Sequence, residues 1–234
     1  MELSRINKPR TSITDRKLPS YTKEEEIFNT VTHIIGGVFG IAVLVLCTVF
    51  SALHSNISGI VSGIIYGFSM ITVYTVSSVY HGLDAERACT AKKIMQIIDH
   101  CDIYGLIIGT YAPVVLTYFR KEHPLAAWLS FGTVCIFSVI GIIFTSVDFK
   151  KYAVISYGAY FVAGWSILLN MYLLFKTYSP EFVILLIAGG AVYTSGMIFY
   201  VLEKKNFKYG HSIFHIFILC GSVIQFIPIF KYCI

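Results

Sequence analysis

Long apolar stretches separated by short polar ones run through the whole chain after its first two dozen residues. Apolar windows of about 20 residues, the length that crosses a bilayer as a helix, fall near residues 31–53, 57–80, 97–118, 126–146, 153–175, 182–202 and 211–230. Runs such as Ile41-Ala42-Val43-Leu44-Val45-Leu46 are apolar on every side. A transmembrane barrel needs strands that alternate apolar and polar over about ten residues, so it does not fit. The pattern predicts an all-α polytopic membrane protein with seven transmembrane helices, residues 27–234, behind a polar tail, residues 1–26.

Composition agrees: 56% of the 234 residues are hydrophobic and 13% charged, with a mean hydropathy of +0.72, too little polar surface for a soluble domain. The tail mixes both charge signs with prolines and serines and lacks an apolar core followed by a small-residue cleavage site, so a removed signal peptide is not expected. Charged termini are usually solvated, and the tail is expected to extend into the cytoplasm.

Orientation comes from the basic residues. Arg5, Lys8, Arg10, Arg16, Lys17, Lys23, Arg87, Lys92, Lys93, Lys150, Lys151, Lys204, Lys205 and Lys208 fall on one predicted side, against Arg120, Lys121, Lys176 and Lys231 on the other. That bias predicts a cytoplasmic N-terminus and an outside C-terminus. The net charge of +5 is thus a topology signal, and no nucleic-acid partner is expected. The expected partners are membrane lipids and the expected location is the plasma membrane. The cysteines stand singly, without a C-x-x-C pair, as small apolar fillers.

Polar residues at the predicted cytoplasmic ends carry the candidate chemistry. The second span ends in TVSSVYHG with Ser77 and His81, the third begins in QIIDHCDIYG with Asp99, and the seventh begins in HSIFH with His211 and His215. Histidines four apart share one helical face and can chelate an ion, and a third completes a tripod. Three histidines plus a water form a known catalytic zinc arrangement, in which the water's pKa falls to about 7. Asp99 is placed to orient and deprotonate such a water, and Ser77 to hydrogen-bond water, substrate or a ligand imidazole.

The plainer reading is a set of interfacial histidines bonded to headgroups and loop carbonyls, with Ser77 a helix-contact residue. Ionisable groups at membrane depth are costly and usually functional. His33 has two readings, a residue behind the metal ligands or an interfacial histidine, of which the second is preferred; His54 and His123 read as solvated in outside loops. His100 points about 100° away from Asp99. Asp102 lies one turn beyond Asp99 and has three open roles: joining the site, pairing with a lysine, or staying protonated. Asp148 is expected to be neutralised by Lys150 or Lys151.

The segments EEIFNTVTHIIGG, SSVYH, IDHCDIYGLIIGTYAP and HSIFHIFILCGS resemble, in order and in span, the hemolysin III family of the progestin and adipoQ receptor superfamily, over about Glu26 to Phe226. The resemblance implies seven helices with a cytoplasmic N-terminus and a zinc ion held by His81, His211 and His215, with Asp99 serving the water and Ser77 matching the family serine. It also links the group to ceramidase-like enzymes, hence to zinc-dependent hydrolysis of a lipid amide or ester in membrane lipid homeostasis. Asp102 stands where a small or apolar residue is the rule, and Gln225 where a histidine is common. Two other functions stay open: a non-enzymatic membrane sensor or receptor with structural zinc, and a hemolysin-like pore-forming cytolysin. For the pore, nearly unbroken apolar spans offer few polar stripes.

Overall fold

The computed structural model describes residues 9–203 and 207–234, and all regular structure among them is helical. In chain order the elements are α1 (Lys23–Leu53), α2 (Ile57–Gly82), α3 (Cys89–Leu116), the short α4 (Tyr118–Glu122), α5 (Pro124–Asp148), α6 (Ala153–Trp165), a 3-10 turn (Ser166–Asn170), α7 (Met171–Thr177), α8 (Pro180–Glu203) and α9 (Gly210–Cys233). Among the described residues, six segments are long and apolar enough to cross a membrane: α1, α2, α5, the α6–α7 pair taken as Ala153–Thr177, α8 and α9. This is therefore an all-α, multi-pass membrane protein. The α3 helix is just as long, but Lys92, Lys93, Asp99, His100 and Asp102 lower its hydropathy.

Local signals set the helix ends. At the start of α1, Thr22 Oγ1 accepts the Glu25 N–H (3.3 Å) while Glu25 Oε2 accepts the Thr22 N–H (2.8 Å). This reciprocal cap, with three glutamates in the first turn, satisfies free amides and suits the helix dipole. It starts the helix at Lys23, within the segment expected to be tail. Asn56 caps α2 through the Gly59 N–H, and Pro124 opens α5, where its missing N–H costs nothing.

Neighbouring helices in sequence pack along one another, α1 on α2, α2 on α3, α3 on α5, α5 on α6 and α8 on α9; α9 then closes the bundle against α1 and touches α3. Small residues permit the closest approach. A Cβ at Gly40 of α1 would lie 2.9 Å from the Ile71 backbone nitrogen of α2. Outward-facing Val38, Ile41, Leu125, Leu129, Phe161 and Ile184 are exposed, as a bilayer-facing surface requires.

The fifth apolar segment is broken between α6 and α7. Tyr111 of α3 spans the break: its hydroxyl accepts the Ile167 N–H (2.9 Å) and lies 3.0 Å from the Gly164 carbonyl and 3.1 Å from Ser166 Oγ. Irregular backbone at membrane depth is tolerated where buried protein groups satisfy it in this way.

The described part of the tail is laid against the bundle rather than free in solvent. The Thr11 N–H donates to Asp148 Oδ2 (2.9 Å), Arg16 Nη2 donates to the Val147 and Ser146 carbonyls (2.8 and 3.3 Å), and Lys93 Nζ donates to the Thr14 carbonyl (2.7 Å). Asp148 also accepts the Lys151 N–H, so two backbone amides, one of them from the tail, bind this carboxylate. Arg5, Lys8, Lys204 and Lys205, used for orientation, lie outside the described residues.

Candidate metal centre

The last turn of α2 and the first two turns of α9 meet at the tail end of the bundle. His81 comes from the former, His211 and His215 from the latter, and all three are buried. One ligand atom of each lies within 4.8 Å of the others, so the triad could hold a metal ion. His81 Nε2 and His211 Nε2 are 3.3 Å apart. Two ring nitrogens bound to one tetrahedral zinc at about 2.0–2.1 Å would be separated by about 3.3–3.4 Å, so this pair already has the spacing that zinc requires.

The outer faces of two of these rings have carboxylates behind them. His81 Nδ1 lies 2.6 Å from Glu26 Oε2 of α1, and His211 Nδ1 lies 3.2 Å from Glu203 Oε2 of α8. The second contact lacks hydrogen-bond alignment at the imidazole nitrogen. A proton held on Nδ1 leaves the lone pair on Nε2, the tautomer suited to binding a cation. Asn29 of α1 approaches His81 Nδ1 at 3.5 Å.

Asp99 and Ser77 line a cavity of about 40 Å3 together with His211, His215, His33 and His100, room for about three waters. Its other walls include Tyr157, Tyr160, Met197 and Phe214. Ser77 Oγ is buried without a hydrogen-bond partner, and Asp99 Oδ2 is 3.7 Å from His100 Nδ1. A cavity of this size does not hold an acyl chain.

Three placements differ from the sequence reading. His33, read as interfacial, is 4% exposed, stacks on His215 with centroids 3.8 Å apart, and has both ring nitrogens unpartnered. Its position in THIIGG shows no spacing partner, so only the packing of α1 against α9 brings it in. Lys92, counted as a loop charge, is buried and ion-paired to Glu26. Tyr21 of the tail lies over the site, its ring tilted against His81 and His211 at 5.6 and 5.1 Å. Burial raises the Tyr21 phenol pKa far above its ordinary value, with Tyr80 and Glu203 adding to the shift.

Other candidates fall outside the triad. His100 Nδ1 donates to the Gln96 carbonyl (2.7 Å), and its Nε2 pairs with the Tyr200 hydroxyl (3.1 Å). Asp102 is partly buried, and its Oδ2 has no hydrogen-bond partner. Gln225 donates to the Leu186 carbonyl (3.2 Å) and lines a separate cavity beside Tyr111.

The sequence profile described as Haemolysin-III related matches residues 21–226. The chain belongs to this family. It is 35% identical over 217 residues to the Hemolysin-3 homolog of Bacillus subtilis (strain 168), covering 92% of this chain and 97% of that one. It is 32% identical over 209 residues to Hemolysin-3 of Bacillus cereus, covering 89% and 92%. The matched region of this Haemolysin-III related protein opens at Tyr21 and contains the triad, both carboxylates behind it, Asp99 and Ser77.

Proposed function

We propose that this Haemolysin-III related protein is a zinc-dependent hydrolase of a lipid amide or ester in the plasma membrane, crossing it seven times with α3 as the additional span. The N-terminus and the site lie on the cytoplasmic side, consistent with the distribution of lysine and arginine. One observation carries the enzymatic reading: two members of a buried histidine triad, His211 and His215, line one cavity with a carboxylate and a hydroxyl, and the third, His81, stands at zinc-like nitrogen spacing from His211. The unpartnered Ser77 Oγ and the two-carboxylate backing of His81 and His211 fit a site built around a cation.

In this reading His81, His211 and His215 hold zinc, which when bound activates water and polarises a carbonyl. Asp99 orients the attacking water and accepts its proton at a carboxylate oxygen. Ser77 donates its free hydroxyl hydrogen to the substrate carbonyl. The aromatic walls exclude bulk water and strengthen both contacts.

A sensor with structural zinc is the second reading. It is favoured by the small cavity and by Tyr21 lying across the site, which together leave no room for an acyl chain in this conformation. Elemental analysis and a lipid-amide hydrolysis screen on detergent-purified protein separate the two. The enzyme reading expects about one zinc per chain and turnover in the parent. Asp99→Asn should keep the zinc and lose about 10²-fold or more in rate, the usual scale for general-base loss. One zinc with no hydrolysis of any lipid amide or ester would leave the sensor reading standing.

A further inference from the structure

Lys92 is 3% exposed, an unusual place for an ammonium. All its donors are directed at named acceptors: Glu26 Oε1 at 2.6 Å, the Leu83 carbonyl at 2.8 Å and the His81 carbonyl at 3.4 Å. The other carboxylate oxygen, Glu26 Oε2, is the one 2.6 Å from His81 Nδ1. Residues of α1 and α3 therefore converge on one histidine of α2. The pair grips His81 twice, at its ring through Glu26 and at its backbone through Lys92.

Stability alone is a poor account of this arrangement. Lys92 is buried while Glu26 keeps about a fifth of its side chain exposed; taking an ammonium out of water is repaid only with excellent geometry, and apolar replacements of buried ion pairs are often neutral or stabilising. Its specific consequence is orientation. With Nδ1 committed to Glu26, His81 Nε2 carries the lone pair and faces His211 Nε2 at 3.3 Å. Because Lys92 holds Oε1, the carboxylate plane is fixed and Oε2 stays aimed at the ring.

We propose that Glu26 and Lys92 are a positioning pair for metal binding: Glu26 fixes the tautomer and rotation of His81, and Lys92 fixes Glu26 and the last turn of α2. This rests on the metal reading of the triad.

The test is zinc affinity of the full-length chain in mild detergent, by chelator competition, together with the visible absorption of the cobalt-loaded protein. The proteins compared are the parent, Glu26→Gln, the double variant Glu26→Leu/Lys92→Met, and His211→Ala/His215→Ala as the zero. Loss of an outer partner of a ligand histidine typically weakens binding about 10–100-fold. The double variant should show that loss while its metal-free thermal unfolding stays at or above the parent's, since no charge is stranded. Glu26→Gln should weaken zinc by about tenfold and shift the cobalt bands. A purely structural ion pair predicts parental zinc affinity in the double variant, and that result overturns the proposal. If the double variant does not fold, Glu26→Gln decides: parental affinity and an unshifted cobalt spectrum overturn it. No zinc in the parent would instead defeat the metal reading itself, and the positioning role with it.

Discussion

Replacing Tyr111 with Phe removes one oxygen and leaves the ring, so no cavity opens in the core. That oxygen serves the broken segment between α6 and α7 three times, at Ile167 N, Gly164 O and Ser166 Oγ. Ser166 keeps a second partner, the Ala163 carbonyl at 3.2 Å, and loses little. The Ile167 N–H loses an acceptor in a buried setting, Ile167 and Tyr111 each being 7% exposed. Stranding a buried donor costs about 1–3 kcal/mol, and side-chain hydrogen bonds inside membranes average about 0.6 kcal/mol. The stranded amide therefore dominates, and the expected loss is about 2–3 kcal/mol. For a chain of this size that is a fall of roughly 4–12 °C in Tm, measurable in detergent by tryptophan fluorescence, since Trp165 closes α6. Zinc stoichiometry should not change, because Tyr111 lines the second cavity and not the histidine site. A Tm within 1 °C of the parent would refute the claim that this hydroxyl satisfies the break.

Gly36→Ala should destabilise the bundle by about 1–3 kcal/mol, the usual cost of overpacking. Its Cβ would sit 2.5 Å from Tyr74 Cδ1, and Tyr74 is pinned by a 2.6 Å hydrogen bond to Ser222 and by edge contact with His33; an unchanged melting curve would show that Tyr74 can move freely. In the loop after α2, Asp84 Oδ1 accepts the N–H groups of Arg87 and Glu86, which lowers its pKa below the ordinary 3.8. A depressed carboxylate contributes stability that is complete above 3.8 and lost as pH falls through the lower folded value. Parent and Asp84→Asn should thus differ by a constant amount from pH 5 to 7, with the difference shrinking at more acid pH; a pH-independent difference would dissociate the effect from the charge.

The relatives bear out the family resemblance, and the structure bears out an all-α, multi-pass membrane architecture with six segments able to cross. Both came from features that are local in sequence. An apolar window of 20 residues has one low-energy state in lipid, because only a helix satisfies its own backbone groups there. Thus α1, α2, α5, α8 and α9 are legible almost to their ends, and the capping box at Thr22 accounts for the earlier start of α1. Within the site, the four-residue spacing of His211 and His215 and the depth of His81 were enough to bring them together on paper, and the fold places them within bonding reach of a common ion.

What only the tertiary structure decided is everything that depends on how one helix rotates against another. Hydropathy assigns depth along the membrane normal but not azimuth, so it placed His33 and Asp102 at plausible levels without saying what either faces. Packing of α1 onto α9 turned His33 into the ring stacked on His215. Packing of α3 onto α2 buried Lys92 beside Glu26, although its charge alone assigned it to solvent. The tail followed the same rule: its composition reads as solvated, yet unpaired groups at the ends of α3 and α5 draw in Thr11, Thr14 and Arg16, and Tyr21 comes to rest over the histidines. The sequence determined which groups reach one end of the membrane, because burial of apolar length is a one-dimensional property. Which of them touch was settled by side-chain contacts in three dimensions, where a rotation of one helix exchanges a solvated lysine for a buried one.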